Sequence, residues 1–284
     1  MHAVTRPKEP ISLCGGALVA HQIPAWQDNF IWLLVSPDAK EAAAVDGPEA
    51  GPALEACARL GVKLTTILNT HTHHDHVGIN AELLEQKLRV IGPAGAASEV
   101  PGLTEPVDEG DTVEVLGQRF EVLRTEGHKN GHVSYVLDGA VFTGDTLFAA
   151  GCGYLFDGPA EAMHDSLQRL TALPEDTLVF CAHEYTQDNL RFAWSIEPGN
   201  PALAERIREA WAVRAQGEST VPSTIGLERA TNPFVRVGSE EIRHAVAAAY
   251  PTRRFDVDAD VFAATRALKD AKTYKNLADT DLPI

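Results

Sequence analysis

The chain has 284 residues, enough to bury a large core in one big domain, or in a domain with a smaller appendage. Its hydrophobic share of 44% and charged share of 23% are those of an ordinary globular protein. With 24 basic against 40 acidic residues the net charge is −16, a surface that repels phosphate backbones and anionic lipid and so argues against nucleic-acid and membrane partners.

Residues 1–19 read as an N-terminal extension. The apolar ISLCGGALVA after Lys8 runs straight into strand-like LVAHQI and NFIWLLV (29–35) instead of meeting a signal cleavage site. EAAAVD (41–46) reads as the next strand, across the SPDAK turn. EAGPALEACARL (49–60) has helical spacing and stops at Gly61, and KLTTILNT (63–70) is a β-branched run. A helix near 79–87, a strand at LRVIG and the hairpin TVEVLGQRFEVL follow. HVSYVL and AVFTGD flank a turn at Asp138-Gly139, 160–173 is helical, and TLVFCAH (177–183) is a further strand. Beyond His183 the pattern is helical, over about 186–196, 201–216, 239–249 and 258–277, so a domain boundary is expected near residue 184. Cys14, Cys57, Cys152 and Cys181 lie far apart with no CxxC pair, as reduced thiols of a cytoplasmic protein would. No apolar run reaches the ~18 residues of a membrane span.

The densest chemistry is THTHHDH (70–76), where His71, His73, Asp75 and His76 can all bind a metal and His74 is a fifth candidate. The run follows a predicted strand, which places it in a strand-to-helix loop. His71 and His73 alternate while Asp75 and His76 are adjacent, so no single helix face presents all four. They form two pairs aimed at two neighbouring points. A polar loop with exposed histidines is the bland alternative, but so dense a cluster seldom arises by chance. Imidazole with carboxylate favours zinc, iron or manganese. Further candidates stand at later strand ends: His128 in TEGHKNGH, Asp145 in FTGDTLF and His183 in CAHEYT. Five histidines and two aspartates can hold two metals if one carboxylate bridges.

THTHHDH, GHKNGH, FTGDTLFAAGCG and AHEYT together resemble the successive motifs of the metallo-β-lactamase superfamily, and in particular of the hydroxyacylglutathione hydrolase (glyoxalase II) family. The resemblance runs from about residue 20 to residue 277. It implies an α/β fold, an αββα sandwich over 20–183 followed by a small helical substrate-binding domain over 184–284. It further implies two divalent metal ions, usually zinc, often with iron or manganese in part. One would be held by His71, His73 and His128 and the other by Asp75, His76 and His183, with Asp145 bridging. The implied reaction is hydrolysis of S-D-lactoylglutathione to glutathione and D-lactate, the second step of methylglyoxal detoxification, by a hydroxide shared between the metals. Asp75 and Asp145 are the carboxylates on which that chemistry depends. The departing thiol has a pKa near ~8.5 and needs no strong general acid.

Substrate residues are expected at and beyond the boundary. Arg266 and Lys269 share one helix face and Lys272 extends the row. Alone this reads as a solvated basic face, but the family places an Arg-x-x-Lys pair at the glycine carboxylate of glutathione. Tyr185 resembles the family's hydroxyl beside the thioester. The segment GCGYLFDG departs from the family: Tyr154 stands where Lys or Arg is usual, and Phe156 where some members have Tyr. EGHKNGH replaces the usual PGHTxGH but keeps His128 and His132. His132 is expected to pack behind a ligand, and His74 to face solvent or sit behind the ligands. Asp46 either orients a ligand or serves its turn. His2, His21, His164 and His244 read as surface or satisfied core groups.

The expected partner is a small-molecule glutathione thioester, and the chain is expected to be a monomer or a weak homo-oligomer. The enzyme rival is a glutathione persulfide dioxygenase with a single iron, a branch that lacks the Arg-x-x-Lys tail; a hydrolase of another thioester also stays open. A nuclease is disfavoured by the net charge, and a non-catalytic binding protein by the full ligand set.

Overall fold

A computed structural model describes residues 3–284. In chain order the elements are β1 (Ile11–Leu13), β2 (Leu18–Ala25), β3 (Asn29–Ser36), β4 (Glu41–Val45), α1 (Gly51–Leu60), β5 (Lys63–Leu68), α2 (His74–Leu83), β6 (Arg89–Pro93) and β7 (Glu105–Val107). There follow β8 (Thr112–Val115), β9 (Gln118–Arg124), β10 (Val133–Leu137), β11 (Ala140–Gly144), β12 (Leu147–Phe148), β13 (Gly151–Cys152), α3 (Ala160–Leu170) and β14 (Leu178–Cys181). The C-terminal part holds α4 (Thr186–Ile196), α5 (Pro201–Ala215), β15 (Ser223–Thr224), α6 (Ile225–Thr231), α7 (Glu240–Ala249) and α8 (Asp258–Asp270).

Strands β1 to β7 form one sheet in sequence order, and the second runs β15-β14-β11-β10-β9-β8. The two stack face to face through the apolar sides of their strands, and β3, β4, β11 and β14 are apolar on both sides because helices cover their outer faces. Along β3, Phe30, Trp32 and Leu34 enter the core between the sheets, while Ile31, Leu33 and Val35 pack outward with α1 and α2 residues such as Ala53, Cys57 and Ile79. On the second sheet Phe142 and Phe180 point inward, and Val141 and Val179 pack outward against Met163 and Leu167 of α3 and Phe262 of α8. The layers are therefore helix, sheet, sheet, helix. Each large side chain so buried contributes roughly 1.5–3 kcal/mol, enough for the sandwich to stand without help from its polar edge.

The structure departs from the sequence reading at several places. Arg6 bridges Glu218 and pairing in the sheet begins at Ile11, so the end of the expected 1–19 extension belongs to the fold: β1 covers the edge of β2, and Leu13 joins the inter-sheet core. The helix expected at 79–87 instead starts at His74, placing Asp75 and His76 in its first turn. The helix expected over 258–277 stops at Asp270, because Lys272 turns left-handed at φ 59°. Lys272 therefore does not continue the Arg266–Lys269 row. Finally, residues 184–284 are helical apart from β15, which pairs with β14 and joins the sandwich.

Candidate metal centre and substrate cavity

β9, β11 and β14 run in one direction, as do β4 and β5, and the C-terminal ends of all of them meet at one edge of the sandwich. His71, His128, Asp145 and His183 follow β5, β9, β11 and β14 respectively, which is why residues far apart in sequence converge. The bridge between Asn29 and His183 joins the two sheets there.

Two clusters share this edge. His71 Nε2 lies 3.1 Å from His73 Nδ1, which lies 3.0 Å from His128 Nε2. Beside them His76 Nε2 and His183 Nε2 stand 3.5 and 3.3 Å from Asp75 Oδ2. Asp145 lies between: its Oδ1 is 3.4 Å from His76 and 3.3 Å from His183, and its Oδ2 is 3.5 Å from His128. All seven predicted ligands are thus together, and their donor atoms fall into compact groups of the kind a metal ion requires.

The far sides of the rings decide the tautomers. His76 Nδ1–H donates to Asp46, His183 Nδ1–H to Asp28, and His128 Nδ1–H to the Tyr154 carbonyl, at 3.0, 2.9 and 2.7 Å. Thr70 gives its hydroxyl proton to Asp46 at 2.7 Å, leaving its oxygen to accept from His71 Nδ1 at 3.1 Å. Four imidazoles therefore turn an Nε2 lone pair inward. Lone pairs facing one another or carboxylate oxygens repel unless positive charge lies between them. The buried His76 Nε2 and Asp145 Oδ1 have no hydrogen-bond partner among the described residues, in keeping with that demand. Electrostatics point the same way. Burial opposes charge on Asp145, but His183 and His76 outweigh it and hold its carboxyl well below the usual range. Burial likewise opposes charge on His76, and Asp145 and Asp46 overcome it and raise the imidazole. The residues present fit divalent cations.

Asp46 fulfils both expected roles, holding His76 and closing a turn at φ 55° that binds Thr70 N at 2.8 Å. His132 is buried behind Asp145, whose N–H donates to its Nε2 at 3.2 Å. His74 is exposed and stacks on Trp26 at 5.8 Å, and His244 is also exposed. His21 is half-buried, His164 has a buried Nε2 with no hydrogen-bond partner among the described residues, and His2 lies outside the described residues. Asp28 and Asn29 were missed in the sequence. Asn29 donates to Asp75 Oδ2 at 2.9 Å, and the only local signal is their place at the start of a strand.

Gly144 ends β11 at φ 48°, and an added Cβ would lie 2.3 Å from Thr70 Oγ1 and 2.8 Å from His132 Nε2. Gly110 at φ 79° has open space around it. Gly144→Ala is therefore expected to add a clash to the left-handed strain and cost about 2 kcal/mol or more, lowering Tm by about 4–8 °C. Gly110→Ala should carry the strain alone. Equal melting shifts in the two would contradict the tight packing behind Asp145.

A cavity of about 400 Å³ opens beside the centre, lined at one end by Phe148 and Tyr185 and farther out by Tyr154, Asp188, Arg266, Lys269 and Tyr274. Tyr185 stacks on the His183 ring at 4.7 Å, and burial, with Asp28 nearby, raises its phenol so that it keeps its proton. Phe156 is exposed and packs at 5.1 Å from His73, with Tyr154 against it. Arg266 and Lys269 do line the cavity, but neither is a solvated surface cation. Arg266 is buried, gives two N–H bonds to Asp270 Oδ1 at 2.6 and 3.0 Å, and reaches the Cys152 carbonyl at 3.2 Å. Lys269 bonds Asn189, stands 3.6 Å from Asp188, and is lowered by burial to about 8.

The C-terminal helices also hold the β12–β13 hairpin that follows Asp145. Buried Glu228 of α6 accepts from Ala150 N at 2.9 Å and from Arg206 at 2.6 Å, and Asn232 donates to Gly151 O at 2.9 Å. Asn189 of α4 donates to Ala149 O at 3.0 Å. The backbone next to the centre is thus fixed from the second half of the chain.

Among known proteins, the family model for the metallo-beta-lactamase superfamily matches residues 81–183, and that for the hydroxyacylglutathione hydrolase C-terminus matches 184–272. A hydroxyacylglutathione hydrolase of Gloeobacter violaceus is 47% identical over 89% of this chain and 99% of its own length. The chain belongs to the hydroxyacylglutathione hydrolase family. A second member, from Alkalilimnicola ehrlichii, is 48% identical over 87% of this chain and 97% of its own. Among solved structures, ETHE1 from Myxococcus xanthus superposes with a TM-score of 0.60 at 25% identity, over 87% of this chain and 98% of that one. TTHA1623 in a di-iron-bound form gives 0.52 at 26%, over 80% and 100%. The family's αββα sandwich and helical C-terminus are those described above.

Proposed function

We propose that this thioester hydrolase acts on S-(2-hydroxyacyl)glutathione, with S-D-lactoylglutathione as substrate and glutathione and D-lactate as products. The observation that carries this reading is Asp145, buried with its two oxygens divided between His76 and His183 on one side and His128 on the other. His71, His73 and His128 would hold one divalent cation and Asp75, His76 and His183 the other, zinc first and iron or manganese in part. The di-iron form of TTHA1623 supports a metal on this fold. Divalent cations at such a site supply an acidified water and a Lewis acid for a carbonyl oxygen.

The chain's own part is preorganisation. Asp46 and Asp28 hold the protons of His76 and His183 on Nδ1, so each Nε2 stays free. His132 fixes the Asp145 backbone, and Asn29 fixes the Asp75 carboxylate. Phe148, Tyr185 and Phe156 form a largely apolar rim that limits water around the reacting carbonyl. No residue need protonate the leaving thiolate. The cavity beyond Tyr185 receives the peptide, with residues 184–284 as the substrate-binding part and 20–183 as the catalytic one. Arg266 and Lys269 set a positive wall for a carboxylate there.

The test is hydrolysis of S-D-lactoylglutathione beside other glutathione and coenzyme A thioesters, with elemental analysis of the same protein purified without chelator. The expected result is turnover of the lactoyl ester with more than one metal equivalent per chain. A reproducible single iron, with oxygen consumed on glutathione persulfide, would overturn the reading.

A further inference from the structure

The outer end of the cavity carries more charge than a single carboxylate calls for. Arg266 and Lys269 are buried and engaged with Asp270, Asn189 and Asp188. Two more lysines line the same space, Lys272 and Lys275, and both are exposed. Lys272 is thrown out of line by its left-handed backbone and makes no ion pair among the described residues. Lys275 Nζ stands 3.5 Å from Asp188 Oδ1. The Tyr274 hydroxyl donates to the other Asp188 oxygen at 2.7 Å and holds that carboxylate in place. Four cations and two carboxylates, Asp188 and Asp270, therefore face one cavity.

Glutathione itself carries two carboxylates and one ammonium. A wall meant for a single carboxylate gains nothing from an acid beside its lysines, which only weakens the local positive field. An α-amino-acid head is different, because its ammonium and carboxylate sit on one carbon and call for an acid and a base side by side. Asp188 and Lys275 are such a pair.

Resting on the glutathione-thioester reading, we propose that Lys272, Lys275 and Asp188 form a subsite for the zwitterionic γ-glutamyl head of the thiol. Arg266 and Lys269 take the other carboxylate. The subsite gives this chain, whose position 154 is a tyrosine, a means of selecting glutathione over thiols without an amino-acid head. Exposed charges are individually weak and screened by salt, so selectivity comes from several acting together in a concave wall. The head is remote from the thioester, so its contacts are similar in ground and transition states and act on KM.

The experiment compares three esters on the metal-loaded protein: S-D-lactoylglutathione, its N-acetylated form without the ammonium, and S-D-lactoyl-N-acetylcysteinylglycine, which lacks the γ-glutamyl residue and whose blocked amine cannot take the acyl group from sulfur. Wild type is expected to favour the first over the third in kcat/KM by about tenfold or more. The double variant Lys272→Ala/Lys275→Ala should bring that ratio toward one through a higher KM for the glutathione ester. Asp188→Asn should shrink the penalty for N-acetylation. Proportional losses on all three esters would mean a structural role only and overturn the subsite. Equal wild-type use of all three would overturn it while leaving the hydrolase reading intact, whereas no turnover of any would overturn both.

Discussion

Asp145→Asn is expected to strip the centre of both cations and to lower kcat by about a thousandfold or more, a barrier increase of about 4 kcal/mol. The substitution keeps the side chain's shape and removes its charge. That charge is what His76, His183 and His128 face at 3.3–3.5 Å, so both clusters lose it at once. An asparagine must also turn its NH₂ toward one set of lone pairs, and it cannot bridge as a carboxylate does. Folding should survive, because Phe30, Trp32, Phe142 and Phe180 form a core that owes nothing to the polar edge. Metal analysis after dialysis, kcat on the lactoyl ester and a melting curve read the three parts separately. Retention of two equivalents with kcat within tenfold of wild type would show that Asp145 does not bridge.

Asp75→Ala should instead separate the two sites. Asp75 Oδ2 faces His76 and His183 but belongs to no group with His71, His73 and His128. One equivalent should be lost and one kept, with kcat down by roughly 10²–10³, the scale of losing one main electrostatic contributor. The structural cost is small: the Asn29 amide loses its acceptor, at about 1–3 kcal/mol. A variant that keeps both metals and near-normal kcat would remove Asp75 from the ligand set.

Sequence periodicity marks apolar faces and is silent where a turn is polar or an element is short. The apolar positions of α2 begin with Val77 and Ile79, whereas its first turn is the polar His74, Asp75 and His76. Such a turn gives no periodic signal, yet a helix there is what sets Asp75 and His76 side by side. The polar, basic pattern of α8 continues past Asp270, where the helix stops. Only the left-handed Lys272 ends it, and a lysine carries no sequence mark for that backbone. At seven residues α6 is too short to show a period, though its Glu228 fixes the hairpin after Asp145.

By itself the sequence determined the family and which residue types gather at the candidate centre. Dense imidazole and carboxylate at the ends of apolar runs have few structural uses, and strand alternation is local enough to read from one chain. Tertiary structure decided which atoms meet. Asp28 reaches His183 across 155 positions, and Asn29 reaches Asp75 across 46, contacts that no local pattern encodes. It also decided that Arg266 and Lys269 are buried and engaged while Lys272 and Lys275 are exposed at the cavity mouth. Side-chain charge is written residue by residue, but whether a charge is free to meet a ligand depends on partners that folding brings from elsewhere in the chain.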